Sequence, residues 1–202
     1  EWSVGSEPHW SPDGKKIAFS RNPGPGMRYA RDRASYVLDV ETGSVAPLSG
    51  RTKMEILIGF SPDGKNFAYR WPRDGDTRFV SEVWVAPAGG GPGRNLTRAL
   101  DMNAGARWAP DGRSLIVGGD RGTSFEKWIQ PLEGPARRID TGAVVTFLPS
   151  FSQSGRMAFV GRGSEPSRPS EVYFMDSPDS APQRLTDFNA HIAALELGRQ
   201  ES

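Results

Sequence analysis

Apolar residues along this chain come in short runs, broken every few positions by Gly, Pro, Asp or Ser, and one arrangement of them recurs. Trp10-Ser11-Pro12-Asp13-Gly14 is followed by Ile17-Ala18-Phe19, and Phe60-Ser61-Pro62-Asp63-Gly64 by Phe67-Ala68-Tyr69. Trp108-Ala109-Pro110-Asp111-Gly112 precedes Leu115-Ile116-Val117. A fourth, degenerate copy runs Phe151-Ser152-Gln153-Ser154-Gly155 and then Met157-Ala158-Phe159, one residue shorter after the Gly. Ser, Pro and Gly at the first, second and fourth positions suit a type I turn: Pro presets φ, and the Ser hydroxyl can bond the turn backbone. Each copy therefore reads as a strand, a tight turn and a second strand, at a period of about 45–50 residues.

Two further columns complete the unit. A third strand centres on Tyr36-Val37-Leu38, Trp84-Val85, Trp128-Ile129 and Tyr173-Phe174. A fourth centres on Leu48, Leu96, Ile139 and Leu185, with turn-like segments before it such as Glu41-Thr42-Gly43 and Ala88-Gly89-Gly90-Gly91. Four short strands per repeat make a propeller blade, and stacked blades bury faces that one alone would expose. The expected fold is all-β: a β-propeller of four blades of four antiparallel strands, forming either a partial ring or one that completes itself. The blades fall at about 7–50, 55–98, 104–140 and 146–187 within residues 1–189, and the aromatic before each turn is expected to pack between blades. Leu96 to Ala106 and Ala190 to Arg199 have helical propensity, but both occupy linker slots and read as strand or loop.

Composition agrees and removes several classes of function. Gly (24) and Pro (17) are spread along the 202 residues, which suits many turns better than a helical bundle. A net charge of +1 gives no electrostatic case for nucleic acid. The absence of cysteine excludes disulfides, thiolate zinc sites and Cys nucleophiles, and leaves the cytoplasm and the periplasm both open. No apolar stretch approaches the roughly 18 residues that span a bilayer.

The columns carry a family resemblance. Trp-Ser-Pro-Asp-Gly, a Lys-Ile-Ala-Phe strand, Val-Trp-Val and a closing Arg-x-Leu-Thr resemble the TolB-type propeller repeat. Ser170-Glu171-Val172-Tyr173-Phe174-Met175-Asp176, leading to Gln183-Arg184-Leu185-Thr186-Asp187-Phe188-Asn189, resembles the last blade of prolyl oligopeptidase-family serine peptidases, in the acylaminoacyl-peptidase and dipeptidyl-aminopeptidase branch. That resemblance implies that residues 190–202 are an exit segment, with Ala193 to Gly198 opening a short strand toward an α/β-hydrolase domain of the same polypeptide. It also implies a non-catalytic role: gating peptide access to the hydrolase domain, which would supply the serine nucleophile. A non-enzymatic, TolB-like propeller that binds protein partners is the alternative.

No catalytic, cofactor or metal residue is assigned. A Gly-x-Ser-x-Gly elbow is missing, and neither His9 nor His191 has such a serine to serve. No phosphate-binding glycine motif is present. Asp13, Asp63 and Asp111 recur a blade apart and cannot meet on one ion. Asn95-Leu96-Thr97 matches a glycosylation pattern but coincides with a fourth strand. The adjacent Glu-Glu pair that the dipeptidyl-peptidase branch uses to hold a free amino terminus does not occur. The candidate substrate-access residues lie in the long loops between second and third strands: Arg28, Tyr29, Arg31 and Arg33, then Trp71, Arg73 and Asp74. Four blades leave two end faces uncovered, so closure as a small ring or pairing with a second copy is expected.

Overall fold

The repeated turn closes as its sequence requires. In the computed structural model the N–H of Gly14, Gly64, Gly112 and Gly155 donates to the carbonyl three residues earlier, at 2.8 to 3.1 Å. Each of these glycines has φ between 66° and 85°, a left-handed conformation that other residues adopt only at a cost. The hydroxyls of Ser11, Ser61 and Ser152 accept the N–H that enters the next strand. Where Ala109 stands instead, Asp111 takes over and accepts from Ser114. The structure describes residues 3–4, 7–25, 31–51, 53–76, 80–122, 124–142, 144–146, 149–163, 169–193 and 195.

These turns join four antiparallel sheets. In the first, β1 (Ser3–Val4) and β2 (His9–Trp10) both pair with β3 (Lys16–Asn22), which is followed by β4 (Ala34–Asp39) and β5 (Val45–Pro47). The second runs β6 (Ile56–Phe60), β7 (Asn66–Pro72), β8 (Ser81–Pro87), β9 (Arg94–Asn95). The third runs β10 (Asn103–Trp108), β11 (Ser114–Arg121), β12 (Ser124–Pro131), β13 (Arg137–Arg138). In the fourth, β14 (Val144–Thr146) and β15 (Ser150–Phe151) share β16 (Met157–Gly163), followed by β17 (Glu171–Met175) and β18 (Gln183–Arg184). The architecture is that of four propeller blades. Leu48, Leu96, Ile139 and Leu185 each stand one residue past the fourth strand. Their N–H groups still donate to third-strand carbonyls at 2.8 to 2.9 Å, so the column is continuous with the sheet.

Strand alternation gives each blade two apolar faces, and neighbouring blades share them. Ala18 and Leu48 of the first blade pack with Leu57, Phe60, Phe67 and Tyr69 of the second. Ala68, Val83 and Val85 of the second meet Ala104, Trp108, Leu115 and Val117 of the third. Ile116 and Ile139 of the third meet Met157, Phe159 and Met175 of the fourth. The aromatics before the turns behave as expected where a preceding blade is present: Phe60 and Trp108 are each 9% exposed, and Phe151 packs on the third core. Trp10, on the outer side of the first blade, is 58% exposed.

One expectation needs correcting. The repeat pattern predicts loop or exit strand from Ala190 onward, yet Ala190–Ala193 forms a helical turn, α1. Asn189 is anchored by Glu171, which accepts its backbone N–H at 2.9 Å, and Asn189 then accepts the N–H of Ile192. With the chain held there, local alanine propensity prevails over the repeat pattern. Residues 194 and 196–202, which hold most of the expected exit strand, lie outside the described residues.

Candidate functional site

Because strands alternate in direction, the loops between second and third strands and the linkers between blades lie at one end of the sheets, opposite the Ser-Pro-Asp-Gly turns. Tyr69 and Trp71 are two apart on β7 and share a face, and Trp84 on β8 stands directly opposite Tyr69. The linker from the first blade passes over this aromatic surface and sets Arg51 on it. The Arg51 guanidinium carbon lies 3.9 Å from the ring centre of Trp71 and 4.0 Å from that of Trp84. The two indoles are edge to face at 90°, with ring centres 5.9 Å apart. Arg51 Nε also donates to the Tyr69 hydroxyl at 3.3 Å. A cation over two aromatic faces is held by their quadrupoles. Both indole N–H groups are buried without a hydrogen-bond partner.

Beside this stack lies Glu55, fully buried. One carboxylate oxygen accepts from the Ser49 hydroxyl and the other has no hydrogen-bond partner. Burial pushes its carboxyl above the ordinary range, opposed by the Ser49 hydroxyl and by the Arg51 charge. The linker is tied to the first-blade loop through the backbone, Met54 N–H to the Arg31 carbonyl and Glu55 N–H to that of Arg33, at 3.0 and 3.1 Å. The Arg33 side chain turns away, donating to Asn22 Oδ1 at 3.3 Å.

A second polar cluster lies toward the third blade. Glu82, also fully buried, accepts from Arg73 Nε at 2.7 Å, Asn95 Nδ2 at 2.6 Å and Arg98 Nη1 at 3.4 Å. Arg73 reaches on to Asp101 at 2.6 Å, and Arg98 forks onto Asp74 at 3.1 and 3.2 Å. The hydrogen bonds to Asp101 and Glu82 hold the Arg73 guanidinium above its ordinary range. Asn95 Oδ1 also accepts the N–H groups of Thr97 and Arg98, so this side chain is engaged at both ends.

The loop residues singled out in the sequence are thus divided. Trp71 lies on β7 rather than in the loop and is part of the Arg51 stack. Arg31 and Arg33 bond the linker through their backbone carbonyls, and Arg73 and Asp74 belong to the Glu82 network. Arg28 and Tyr29 lie outside the described residues. Sequence reading missed Arg51, Glu55, Tyr69 and Glu82 as members of these clusters. One signal was available: aromatics at 69, 71 and 84 fall on one face once β7 and β8 are paired. Among the described residues, no group of three or more His, Cys, Asp or Glu is placed to hold a metal ion, and no helix is long and apolar enough to cross a membrane.

No protein-family model matches the chain. Over 197 residues, 95% of its length, it is 27% identical to dipeptidyl-peptidase 5 of Porphyromonas gingivalis and covers 28% of that protein. Among solved structures, a protein of Agrobacterium tumefaciens described as TolB superposes with a TM-score of 0.69 at 23% identity, covering 90% of this chain and 64% of that one. The acylaminoacyl peptidase of Pyrococcus horikoshii superposes at 0.67 and 16% identity, covering 95% of this chain and 28% of that one. The homologues of the chain include peptidases, and its structural neighbours include the propellers of acylaminoacyl and prolyl peptidases and of TolB. The chain spans 28%, 17% and 48% of the length of three curated relatives that it matches.

Proposed function

We propose that this chain is the propeller portion of a serine peptidase that hydrolyses short peptides, and that it gates substrate access to an α/β-hydrolase domain of the same polypeptide. The observation that carries this reading is the similarity to dipeptidyl-peptidase 5, which extends over 95% of the chain, all four blades included. The loop-and-linker end supports it as the gating face. Arg31 is exposed there, and the half-buried Trp71 and Arg51 offer cationic and aromatic surface.

The test is an assay of the full-length polypeptide with a fluorophosphonate label and with dipeptidyl and N-acylated chromogenic substrates. The expected result is one labelled serine outside these 202 residues, with cleavage of short peptides and none of folded proteins. Replacing Arg28 and Arg31 by Ala should then change KM for peptides with kcat retained. Absence of labelling and hydrolysis would overturn the reading.

The TM-score of 0.69 to the protein described as TolB favours a second reading, a non-enzymatic propeller that binds protein partners. A full-length protein that captures a partner yet lacks a reactive serine would establish it. On either reading we propose that the two end faces accept further blades, and that in the isolated chain a second copy takes their place. The cores between consecutive blades support this, because the outermost faces present the same columns of residues without a covering blade.

A further inference from the structure

The first strands of the first three blades border a cleft of about 590 Å³, with His9, Trp10, Gly59, Arg70, Arg107 and Trp108 on its walls. The backbone is shaped around it. Pairing between β6 and β7 jumps from Leu57 to Gly59, leaving Ile58 in a bulge. Gly59 has φ of 130°, and a Cβ there would stand 3.1 Å from His9 Nδ1, so only glycine lets the imidazole come this close. The Gly59 carbonyl in turn accepts the Trp108 indole N–H at 3.0 Å.

Arg70 is the group these contacts leave unexplained. Its Nη2 donates to Asn103 Oδ1 at 3.3 Å, and its Nε is buried with no hydrogen-bond partner. Arg73 and Arg98 nearby each hold carboxylates, but no carboxylate pairs with Arg70 among the described residues. Burial alone draws its guanidinium below the ordinary range, with no opposing charge to restore it. A guanidinium stays protonated in proteins, so Arg70 is a half-buried fixed cation at the wall of an open cleft. Arg107, from the third blade, adds a second, exposed guanidinium to the lining of the cleft.

We infer that this cleft binds a carboxylate of a peptide, held by Arg70 and Arg107. The choice of a peptide as ligand rests on the function proposed above. Planar guanidinium forks match carboxylates in two-point geometry, which makes them selective for that group. The carboxylate could be a C-terminus or an Asp or Glu side chain, and the chemistry is shared.

The test is a tryptophan-fluorescence titration of the 202-residue chain with three N-acetylated tripeptides: trialanine with a free C-terminus, its amide, and the amide with Glu in the middle. The expected result is that at least one carboxylate-bearing peptide binds about tenfold more tightly than trialanine amide, the scale of one charge-assisted contact. Which of the two binds better identifies the source of the carboxylate. Arg70→Met should abolish the preference, and Arg107→Gln should reduce it. Equal binding of all three, no binding at millimolar concentration, or a preference that survives Arg70→Met would overturn the inference. Should Arg70→Met not fold, Arg107→Gln decides: an unreduced preference overturns the site. The titration reads binding and not hydrolysis, so it can fail while the full-length protein still cleaves peptides, and it can succeed where the peptidase reading fails.

Discussion

Two buried carboxylates with different surroundings give the loop-and-linker end its chemistry. Glu82 is compensated by two guanidinium groups and an amide. Glu82→Gln should cost about 1–3 kcal/mol, because it weakens the charge-assisted hydrogen bonds from Arg73 and Arg98 while Arg73 keeps its pair with Asp101. The Arg98–Asp74 pair is exposed and screened by solvent, so Asp74→Asn should barely move a urea midpoint. Glu55 is less well compensated, and its folded pKa is raised, so the folded state binds more protons. Its contribution is full below the unfolded carboxyl value and lost as pH rises through the folded one. Lys127, buried between the third and fourth blades, is depressed by burial to about 8 from 10.5. Between those values the unfolded chain binds more protons, so stability should rise with pH, by on the order of 1–3 kcal/mol. Urea midpoints from pH 7 to 10.5 check this, and Lys127→Met should flatten the rise.

At the scale of elements, the repeat was legible because turn chemistry and alternation are local. The Ser-Pro-Asp-Gly turn needs a Gly with positive φ, and the four columns follow from sheet periodicity. What was not legible depends on register across the sheet. Arg51 meets Tyr69 from 18 residues away, and Arg73 meets Asp101 from 28. Nothing near Arg51 in sequence marks it as a stacking residue. The helical turn at Ala190–Ala193 was missed for a similar reason, since its anchor, Glu171, lies on another strand. The columns make their own prediction. Leu48 is 1% exposed and Ile139 2%, whereas Leu185, in the same column of the fourth blade, is 60% exposed. Leu48→Asp and Ile139→Asp should each cost about 3–5 kcal/mol, the range for losing a buried aliphatic side chain and burying a charge in its place. In the chain held monomeric by dilution, where Leu185 is uncovered, Leu185→Asp should stay within about 0.5 kcal/mol. Equal losses at the three positions would mean that the columns are not equivalent.

At the scale of the molecule, the three shared cores join four blades in series, and among the described residues no fourth core joins the last blade to the first. One end presents Trp10, with Ile17, Phe19, Tyr36 and Leu38 of the first blade, the columns that Phe60, Phe67, Tyr69, Trp84 and Ala86 fill in the second. The other end presents Ala158, Val160, Val172, Phe174 and Leu185. These two uncovered faces support the proposal that the chain is a propeller segment that meets further blades at both ends. Sedimentation velocity of the isolated chain at micromolar concentration tests that most directly. The expected species has twice the 22.0 kDa mass of one chain, and Leu185→Asp should return it to a folded monomer. A wild-type chain that stays monomeric as concentration rises, with both end faces open to solvent, would contradict the account.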